Sequence, residues 1–380
     1  AITMDGTPAA EPQLDLEYQL ADNLTRTSGR IFLTGTQALV RIMLTQSRMD
    51  RERGLNTAGF VSGYRGSPLG GVDMAMWKAQ KALDANQITF LPAINEDMAA
   101  TAVMGTQQAG VRADRNVDGV YAMWYGKGPG VDRAGDALHH GNAAGASRSG
   151  GVLVVVGDDH TAVSSSIPHA SEASLIGWQM PIVHPASIDE YETFALWGWA
   201  LSRYSGTWVA FKAVSETIEC GHSFVPAPTQ RYDMPADPDM PAESLEYSAR
   251  DFLSLAIETR MNLRMKAVAA FARRHSIDRL ACPAPKAAVG IVTVGKAHLD
   301  TMEALSRLGV DTVTANAPVR IYKPGLTWPL DASRLLDFAR GLSHILVIEE
   351  KGAVVESQIK DLLFNLPDRP TVIGKKGFDG

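Results

Sequence analysis

Short apolar runs alternate with helix-like stretches along the first half of the chain. The strand-like runs cover 58–64, 88–93, 119–125, 152–159, 181–185 and 207–214. All but the last are followed by a stretch with helical spacing of apolar positions or by a polar loop. Because buried strands that alternate with helices form a parallel sheet wrapped by helices, this pattern predicts an α/β fold.

A second, smaller alternation follows a break in the pattern. The stretch 221–243 holds five prolines, which is typical of a linker, and a helical stretch follows at 248–275. The second series has strands at 286–295, 311–317 and 344–350, helices at 297–308 and 354–366, and a Pro/Gly loop at 321–330. We therefore expect an N-terminal extension (1–27), a large α/β domain (28–220), a linker with a long helix (221–285) and a smaller α/β domain (286–380).

Ligands in open parallel sheets bind beyond the carboxyl ends of the strands. In the large domain this rule selects four loops, at 64–71, 94–97, 125–131 and 157–170. Each loop is rich in Gly, Ser, Pro or charged residues. We expect a ligand site where these loops meet.

Length and charge exclude several classes of protein. A chain of 380 residues is too long for one compact core, so two or three domains are expected. A net charge of −6 disfavours nucleic acid as a partner, because phosphate binding needs a clustered basic surface. The chain has no apolar run of about 18 residues, so no membrane-spanning helix is expected, and its first residues lack the pattern of a signal peptide.

The chain has two cysteines, Cys220 and Cys282. Two are too few for a disulfide framework, so the cytoplasm is the expected compartment. An iron–sulfur cluster is normally held by about four thiolates, so this chain cannot hold one by itself. We expect both cysteines to be small buried apolar residues.

The first candidate motif is GYRGSPLGG, which spans Gly63 to Gly71. Four glycines and a proline between a strand and a helix allow the backbone to approach a ligand closely. A purely structural turn explains the same composition equally well. The motif is neither a P-loop nor a dinucleotide-binding fingerprint.

The second candidate is Glu96, where a strand gives way to a helix rich in Ala and Gly. An acid at a helix start is favoured by the helix dipole, so capping is the simplest explanation. The alternative is chemical, because Glu96 would project at the ligand edge of the sheet, where a carboxyl group can share a proton with a bound molecule.

Two further loops carry charge. Lys127 lies between glycines and would meet an anion, or simply solvent. Asp158, Asp159 and His160 resemble metal ligands, but the sequence shows no second cluster to complete a metal site. A polar loop that faces the substrate, with serines at 164–166, is the preferred interpretation, and no metal ligand is predicted.

Read together, these segments resemble the thiamine pyrimidine-binding domain of indolepyruvate ferredoxin oxidoreductase, in the thiamine-diphosphate-dependent 2-oxoacid:ferredoxin oxidoreductase superfamily. The matching stretches are Gly-Tyr-Arg-Gly-Ser-Pro at 63–68, where the family has Gly-Tyr-Pro-Gly-Thr-Pro, then Asn95-Glu96 with its small-residue helix, GDDHTAVSSS at 157–166, and IVTVG, GLTWPL and LVIEEK in the second domain. The resemblance covers about residues 28–365, and the pattern is similar to the long fused bacterial form of the enzyme. It implies a pyrimidine-binding domain followed by a smaller domain like the C-terminal domain of transketolase.

The resemblance also implies roles for individual residues. Glu96 would be catalytic and would hydrogen-bond a ring nitrogen of the cofactor. The implied cofactor-binding residues are Gly66, Ser67, Pro68, Asn95, Glu96, Lys127 and Gly128. The implied substrate-facing residues are Tyr64, Arg65 and Ser67.

Such enzymes bind Mg²⁺ and the diphosphate through Gly-Asp-Gly followed about 25–30 residues later by Asn, ligands of the kind that magnesium prefers. That motif does not occur in this sequence. The resemblance therefore implies that the diphosphate half, the [4Fe-4S] clusters and the remaining enzyme lie on other domains or chains. It implies oxidation of an arylpyruvate with coenzyme A as co-substrate, ferredoxin as electron acceptor, and a homo-oligomeric assembly. A β-type subunit of a 2-oxoacid dehydrogenase and a non-catalytic assembly subunit remain as alternatives.

Overall fold

The computed structural model describes residues 15–163, 165–234 and 245–377. Its strands are β1 (Ile31–Thr34), β2 (Thr57–Gly63), β3 (Ile88–Phe90), β4 (Gly119–Lys127), β5 (Val152–Gly157), β6 (Ile182–Val183), β7 (Val209–Lys212), β8 (Gly221–Phe224), β9 (Arg279–Cys282), β10 (Val289–Thr293), β11 (Val319–Lys323), β12 (Leu326–Trp328), β13 (His344–Ile348) and β14 (Thr371–Ile373).

Helices separate most of these strands. They are α1 (Asp22–Thr25), α2 (Gly35–Glu52), α3 (Val72–Lys78), α4 (Gln80–Ala85), α5 (Glu96–Ala109), α6 (Gly128–Arg133), α7 (Gly135–Ala144), α8 (Glu172–Gly177), α9 (Tyr191–Ser205), α10 (Ser215–Ile218), α11 (Ala256–Arg274), α12 (Ala297–Arg307), α13 (Ala332–Ala339) and α14 (Val355–Leu363), with a 3₁₀ turn at Ile188–Glu190.

The large sheet has seven strands in the order β12-β6-β7-β5-β4-β2-β3. Its six strands β2 to β7 are all parallel, and β12 joins the edge antiparallel to β6. The smaller sheet has the order β14-β13-β10-β11-β9, with only β9 antiparallel. The α/β prediction with parallel sheets flanked by helices is therefore confirmed.

The centre of the large sheet is covered on both faces. Every residue of β5 (VLVVVG) is buried, as expected for a central strand between two helical layers. One apolar cluster packs α2 and α9 against the sheet, and a second packs α5 and α7 against the opposite face. Burial of each Val or Leu side chain stabilises the fold by roughly 1.5–3 kcal/mol. The sheet is therefore a rigid support for the loops at its carboxyl edge.

Two strands belong to a different domain from the one that the predicted limits implied. Residues 279–282, expected in the linker, form β9 and pair with β11 of the smaller sheet. Residues 326–328, expected in a loop of the smaller domain, form β12 and extend the large sheet. A strand from the smaller domain thus belongs to the sheet of the larger one. The two domains are connected through this sheet as well as through the chain.

Two local predictions were wrong. The stretch 311–317 is not a strand, because the Asp311 side chain accepts hydrogen bonds from the backbone N–H groups of Val313 and Thr314 and turns the chain instead. Cys220 is exposed, whereas Cys282 is buried as expected. Among the described helices, none is both long and apolar enough to cross a membrane.

Candidate functional site

The four selected segments meet at one edge of the large sheet. Strands β2, β3, β4 and β5 are parallel neighbours, so the residues that follow them lie at the same end. The predicted loop 125–131 is not a loop, because β4 continues to Lys127 and α6 starts at Gly128. The described residues of the three remaining segments are irregular between the end of the strand and the start of the next helix.

Glu96 is the first residue of α5 and is 7% exposed. The capping role belongs to its neighbour, since Asn95 Oδ1 accepts a hydrogen bond from the Met98 N–H at 2.9 Å. The buried Trp124 indole donates to the Glu96 backbone carbonyl at 3.1 Å and fixes the start of the helix. The Glu96 side chain is therefore positioned without being used as a cap.

The carboxylate of Glu96 faces α6. A Cβ on Gly130 would lie 2.7 Å from Glu96 Oε1, so a larger residue there would require the acid or α6 to shift. Arg133 Nε stands 3.6 Å from Glu96 Oε2 and 3.5 Å from Asp97 Oδ2. Within the described residues no hydrogen bond reaches the Glu96 carboxylate, and its ion-pair partner Arg133 is an exposed side chain.

Helix α6 also contacts the first and fourth segments. A Cβ on Gly66 would lie 2.9 Å from Lys127 Cδ, which shows that the aliphatic stem of Lys127 rests on the GYRGSPLGG loop. A Cβ on Gly128 would lie 2.1 Å from His169 Nδ1. The glycines in these motifs thus allow close packing of the segments on each other, which is the structural interpretation of their composition.

The residues of the first loop have mixed surroundings. Tyr64 is 39% exposed, and its N–H donates to the Tyr125 carbonyl at 3.2 Å. Arg65 is exposed and Pro68 is buried. The Ser67 hydroxyl donates to Glu219 Oε1 at 3.2 Å, a partner that lies too far away in the sequence to be predicted. Tyr64, Arg65 and Ser67 thus lie on the loop whose Gly66 packs against Lys127.

A charged cluster anchors the fourth segment. The Lys212 ammonium is fully buried and donates to Asp158 Oδ2 at 2.5 Å and Glu172 Oε1 at 2.6 Å. Burial alone would raise the pKa of the Asp158 carboxyl, but Lys212 and His169 hold it well below its usual range. Burial would likewise lower the pKa of Lys212, and the two carboxylates raise it instead. Lys212 and Glu172 were missed because only the fold brings them to Asp158.

His169 links this cluster to α6. Its Nε2 lies 2.8 Å from Asp132 Oδ2 and its Nδ1 lies 3.3 Å from Asp158 Oδ1. The Asp158 contact, with Asp132 adding to it, raises the pKa of His169 to about 9. The ring is therefore an imidazolium at neutral pH and holds the polar loop onto the start of α6. Ser164, part of the predicted polar loop, lies outside the described residues.

Glu96 is the residue here that suits an aminopyrimidine ring. Such a ring needs a carboxyl group that can share a proton with a ring nitrogen. No hydrogen bond from the described residues reaches the Glu96 carboxylate, so it can take that role. The glycines of α6 let that helix pack directly against Glu96 and His169.

Comparison with known proteins agrees with the resemblance found in the sequence. A family model described as "Indolepyruvate oxidoreductase domain" matches residues 279–379. The chain is 24% identical over 360 residues to indolepyruvate oxidoreductase subunit IorA of Pyrococcus horikoshii, covering 88% of this chain and 48% of that protein. The same subunit of Methanothermobacter marburgensis is 24% identical, with 87% and 48% covered. The chain spans about half the length of the curated relatives it matches.

Solved structures confirm the fold. A 2-oxoglutarate:ferredoxin oxidoreductase from Magnetococcus marinus, with 2-oxoglutarate, coenzyme A and succinyl-CoA bound, superimposes with a TM-score of 0.64 at 16% identity, covering 92% of this chain and 62% of the other. A split-gene transketolase, in an inactive β4 tetramer, gives a TM-score of 0.52 at 12% identity, with 92% and 90% covered. The predicted resemblance to the indolepyruvate oxidoreductase type is confirmed.

Proposed function

We propose that this chain is the pyrimidine-binding portion of a thiamine-diphosphate-dependent 2-oxoacid:ferredoxin oxidoreductase of the indolepyruvate type. The observation that carries the proposal is the position of Glu96. It lies buried at the start of α5, on the carboxyl edge of a parallel sheet, where Asn95 caps the helix and no described residue donates a hydrogen bond to the Glu96 carboxylate. The match to indolepyruvate oxidoreductase subunits supports the reaction class.

Glu96 would hold the ring nitrogen of the cofactor and exchange a proton with it. The bound thiamine diphosphate would supply the carbanion chemistry of decarboxylation. Because Glu96 is nearly buried, bulk water is largely kept away from that proton. Asn95 fixes the helix start, and Gly66, Ser67, Pro68, Lys127 and Gly128 would form the wall of the cofactor site.

Tyr64, Arg65 and Ser67 lie on the loop that borders this site. We expect Arg65, which is exposed and cationic, to meet the carboxylate of the 2-oxoacid. Tyr64 offers an aromatic surface to an arylpyruvate. The choice of arylpyruvate over other 2-oxoacids rests on the names of the relatives.

In this proposal, other parts of the enzyme bind the diphosphate, Mg²⁺ and the [4Fe-4S] clusters. The sequence lacks the Gly-Asp-Gly…Asn motif for Mg²⁺ and the diphosphate, and its two cysteines are too few for a [4Fe-4S] cluster. The residues that perform these tasks would lie on further domains or chains, in keeping with relatives about twice as long. Coenzyme A would accept the acyl group and ferredoxin the electrons.

The test is an anaerobic assay of the complete enzyme that contains this chain. We expect ferredoxin reduction by indolepyruvate or phenylpyruvate that requires both thiamine diphosphate and coenzyme A, and slower reduction by 2-oxoglutarate. Transfer of the acyl group to lipoamide without ferredoxin reduction would favour a 2-oxoacid dehydrogenase β subunit. Absence of bound thiamine from an intact complex would favour the non-catalytic assembly role.

A further inference from the structure

The carboxyl ends of the two sheets face each other across a small cavity. His160 and His184, which follow β5 and β6 of the large sheet, line one side. Val294 and Glu349, which follow β10 and β13 of the smaller sheet, line the other. The cavity has a volume of about 10 Å³, which is close to the room that one water molecule or ion requires and excludes an organic ligand.

Three buried polar atoms at this junction have no hydrogen-bond partner among the described residues. They are His160 Nε2, His184 Nε2 and Glu216 Oε2, and they belong to residues that follow three adjacent strands of the large sheet. His160 and His184 are 3% and 4% exposed. Because an unpaired buried polar atom costs about 1–3 kcal/mol, three on one edge indicate a bound species that satisfies them.

The geometry permits a single cation to bridge several of these groups. Asp158, His160 and Glu172 each offer a ligand atom within 4.8 Å of the other two. Lys212 occupies one oxygen of Glu172, and no described residue donates a hydrogen bond to the other. Asp158 is more heavily used, since Lys212, His169 and Ser171 all contact it.

The charged groups that face the cavity are nearly balanced. The acids are Asp158, Glu172, Glu216, Glu349 and Glu350, and the cations are Lys212, His169, Lys296 and Lys323. A metal ion here therefore competes with the Lys212 ammonium for the carboxylates of Asp158 and Glu172.

We propose that this junction binds one divalent transition-metal ion such as Zn²⁺, ligated by His160 Nε2 and the carboxylates of Glu172 and Asp158. Imidazole and carboxylate are usual ligands of zinc, and three protein ligands leave a position for water. The sequence could not show this site, because Glu172 reaches the Asp158–His160 segment only through the fold.

The test measures metal binding by the 380-residue chain and does not depend on activity. After removal of adventitious metal with a chelator, calorimetry should give about one equivalent of Zn²⁺ bound with a Kd in the micromolar range or below. Co²⁺ in place of Zn²⁺ should give the visible absorption of a site with nitrogen and oxygen ligands. No stoichiometric Zn²⁺ and no Co²⁺ band in the folded wild-type chain would overturn the proposal and leave water as the bound species.

Variants then assign the ligands. His160→Gln or Glu172→Gln should weaken Zn²⁺ binding by more than about tenfold, because loss of a residue that merely contacts a ligand already costs about 10–100-fold. His140→Gln is the control, since His140 is exposed beside His139, where adventitious zinc would bind. Lys212→Met should tighten binding by removing the competing ammonium. Zinc binding that His140→Gln abolishes and His160→Gln leaves unchanged would also overturn the proposal.

Discussion

At the scale of single residues, Glu96 is the position on which the proposed chemistry depends. Its place after a strand and before a small-residue helix could be recognised in the sequence, because strand ends and helix starts have clear local signals. The sequence could not separate a cap from a catalytic acid. The structure separates them, since Asn95 accepts the capping hydrogen bond.

Replacing Glu96 by Gln should therefore remove activity while keeping the fold. Gln has the same shape but cannot exchange a proton in the same way, and loss of one acid–base group costs about 10²–10⁴-fold in rate. The measurement is oxidative decarboxylation by the complete enzyme. Asp97→Asn is the matched control, because Asp97 lies in the same helical turn and contacts the same arginine, Arg133. Wild-type turnover in Glu96→Gln with cofactor bound would exclude the assigned role.

His169 gives the protein a predictable response to pH. Its pKa is raised to about 9 in the folded state by Asp158 and Asp132, against about 6.5 for an unperturbed histidine. A group whose pKa is raised on folding stabilises the fold fully at a pH below its pKa in the unfolded chain. For His169 this stabilisation is lost as the pH rises through 9. The free energy of unfolding should fall by about 1–3 kcal/mol between pH 6.5 and 9.5.

His169→Gln is the control for this pH response. The difference in unfolding free energy between the wild type and the variant should shrink as the pH rises, because deprotonation removes the charged contact in the wild type alone. Denaturant unfolding at several pH values measures it. A difference that stays constant from pH 6.5 to 9.5 would show that the imidazolium contact does not stabilise the fold.

At the scale of elements, the alternating pattern located the strands of the large sheet well. Strands buried on both faces, such as β5, are short continuous apolar runs bounded by glycines, and their length favours a strand over a helix. Helix α2 was not predicted, although Thr34 and Gln37 form a capping box at its start. The antiparallel edge strands β9 and β12 were also missed, because each pairs with a sheet whose other strands are distant in sequence.

Helix α6 holds the loops of the site together, and one methyl group should disturb it. A Cβ at Gly130 would lie 2.7 Å from Glu96 Oε1, so Gly130→Ala should displace Glu96 or α6. We expect a lower Tm and weaker cofactor binding in the complete enzyme. Gly105→Ala is the matched control, because nothing lies within 4 Å of its Cβ and Ala at an exposed helical site stabilises by about 0.4–1 kcal/mol.

The two glycine variants should thus shift the Tm in opposite directions. Differential scanning calorimetry on both variants measures these shifts in Tm. An unchanged Tm and unchanged cofactor affinity in Gly130→Ala would mean that the carboxylate of Glu96 moves aside without cost. In that case the close approach of α6 would not help to position Glu96.

At the scale of the whole molecule, the proposed function makes this chain one half of an interdomain site. Only its resemblance to a family could suggest that, since no local pattern reports a missing domain. The expected consequence is that the 380 residues alone do not bind thiamine diphosphate tightly. The diphosphate carries most of the charge, and its Mg²⁺ ligands are not in this sequence. Calorimetry with Mg²⁺ should show no saturable binding in the low micromolar range, and submicromolar binding would reveal an unrecognised diphosphate site.

The surface around Glu96 has exposed apolar side chains of the kind found at interfaces. Ile94 and Met98 flank Glu96 and are 78% and 54% exposed. Leu91 and Trp77 are 55% and 46% exposed, and Trp77 packs edge-on against Phe90, which precedes Leu91. Large exposed apolar patches usually mark binding surfaces. A second protomer or a further domain that covers this face would complete the cofactor site.

The complete enzyme should therefore be at least a dimer that associates through this apolar face. Light scattering should give twice the protomer mass or more, since a net charge of −6 is too small to oppose association strongly. Ile94→Glu with Met98→Glu should weaken the assembly, because both charges would be buried without partners. Leu308→Glu is the control, as Leu308 is 77% exposed at the end of α12, outside this face. A monomer at micromolar concentration with the Glu96 edge open to solvent would contradict the interdomain site and favour a non-catalytic role.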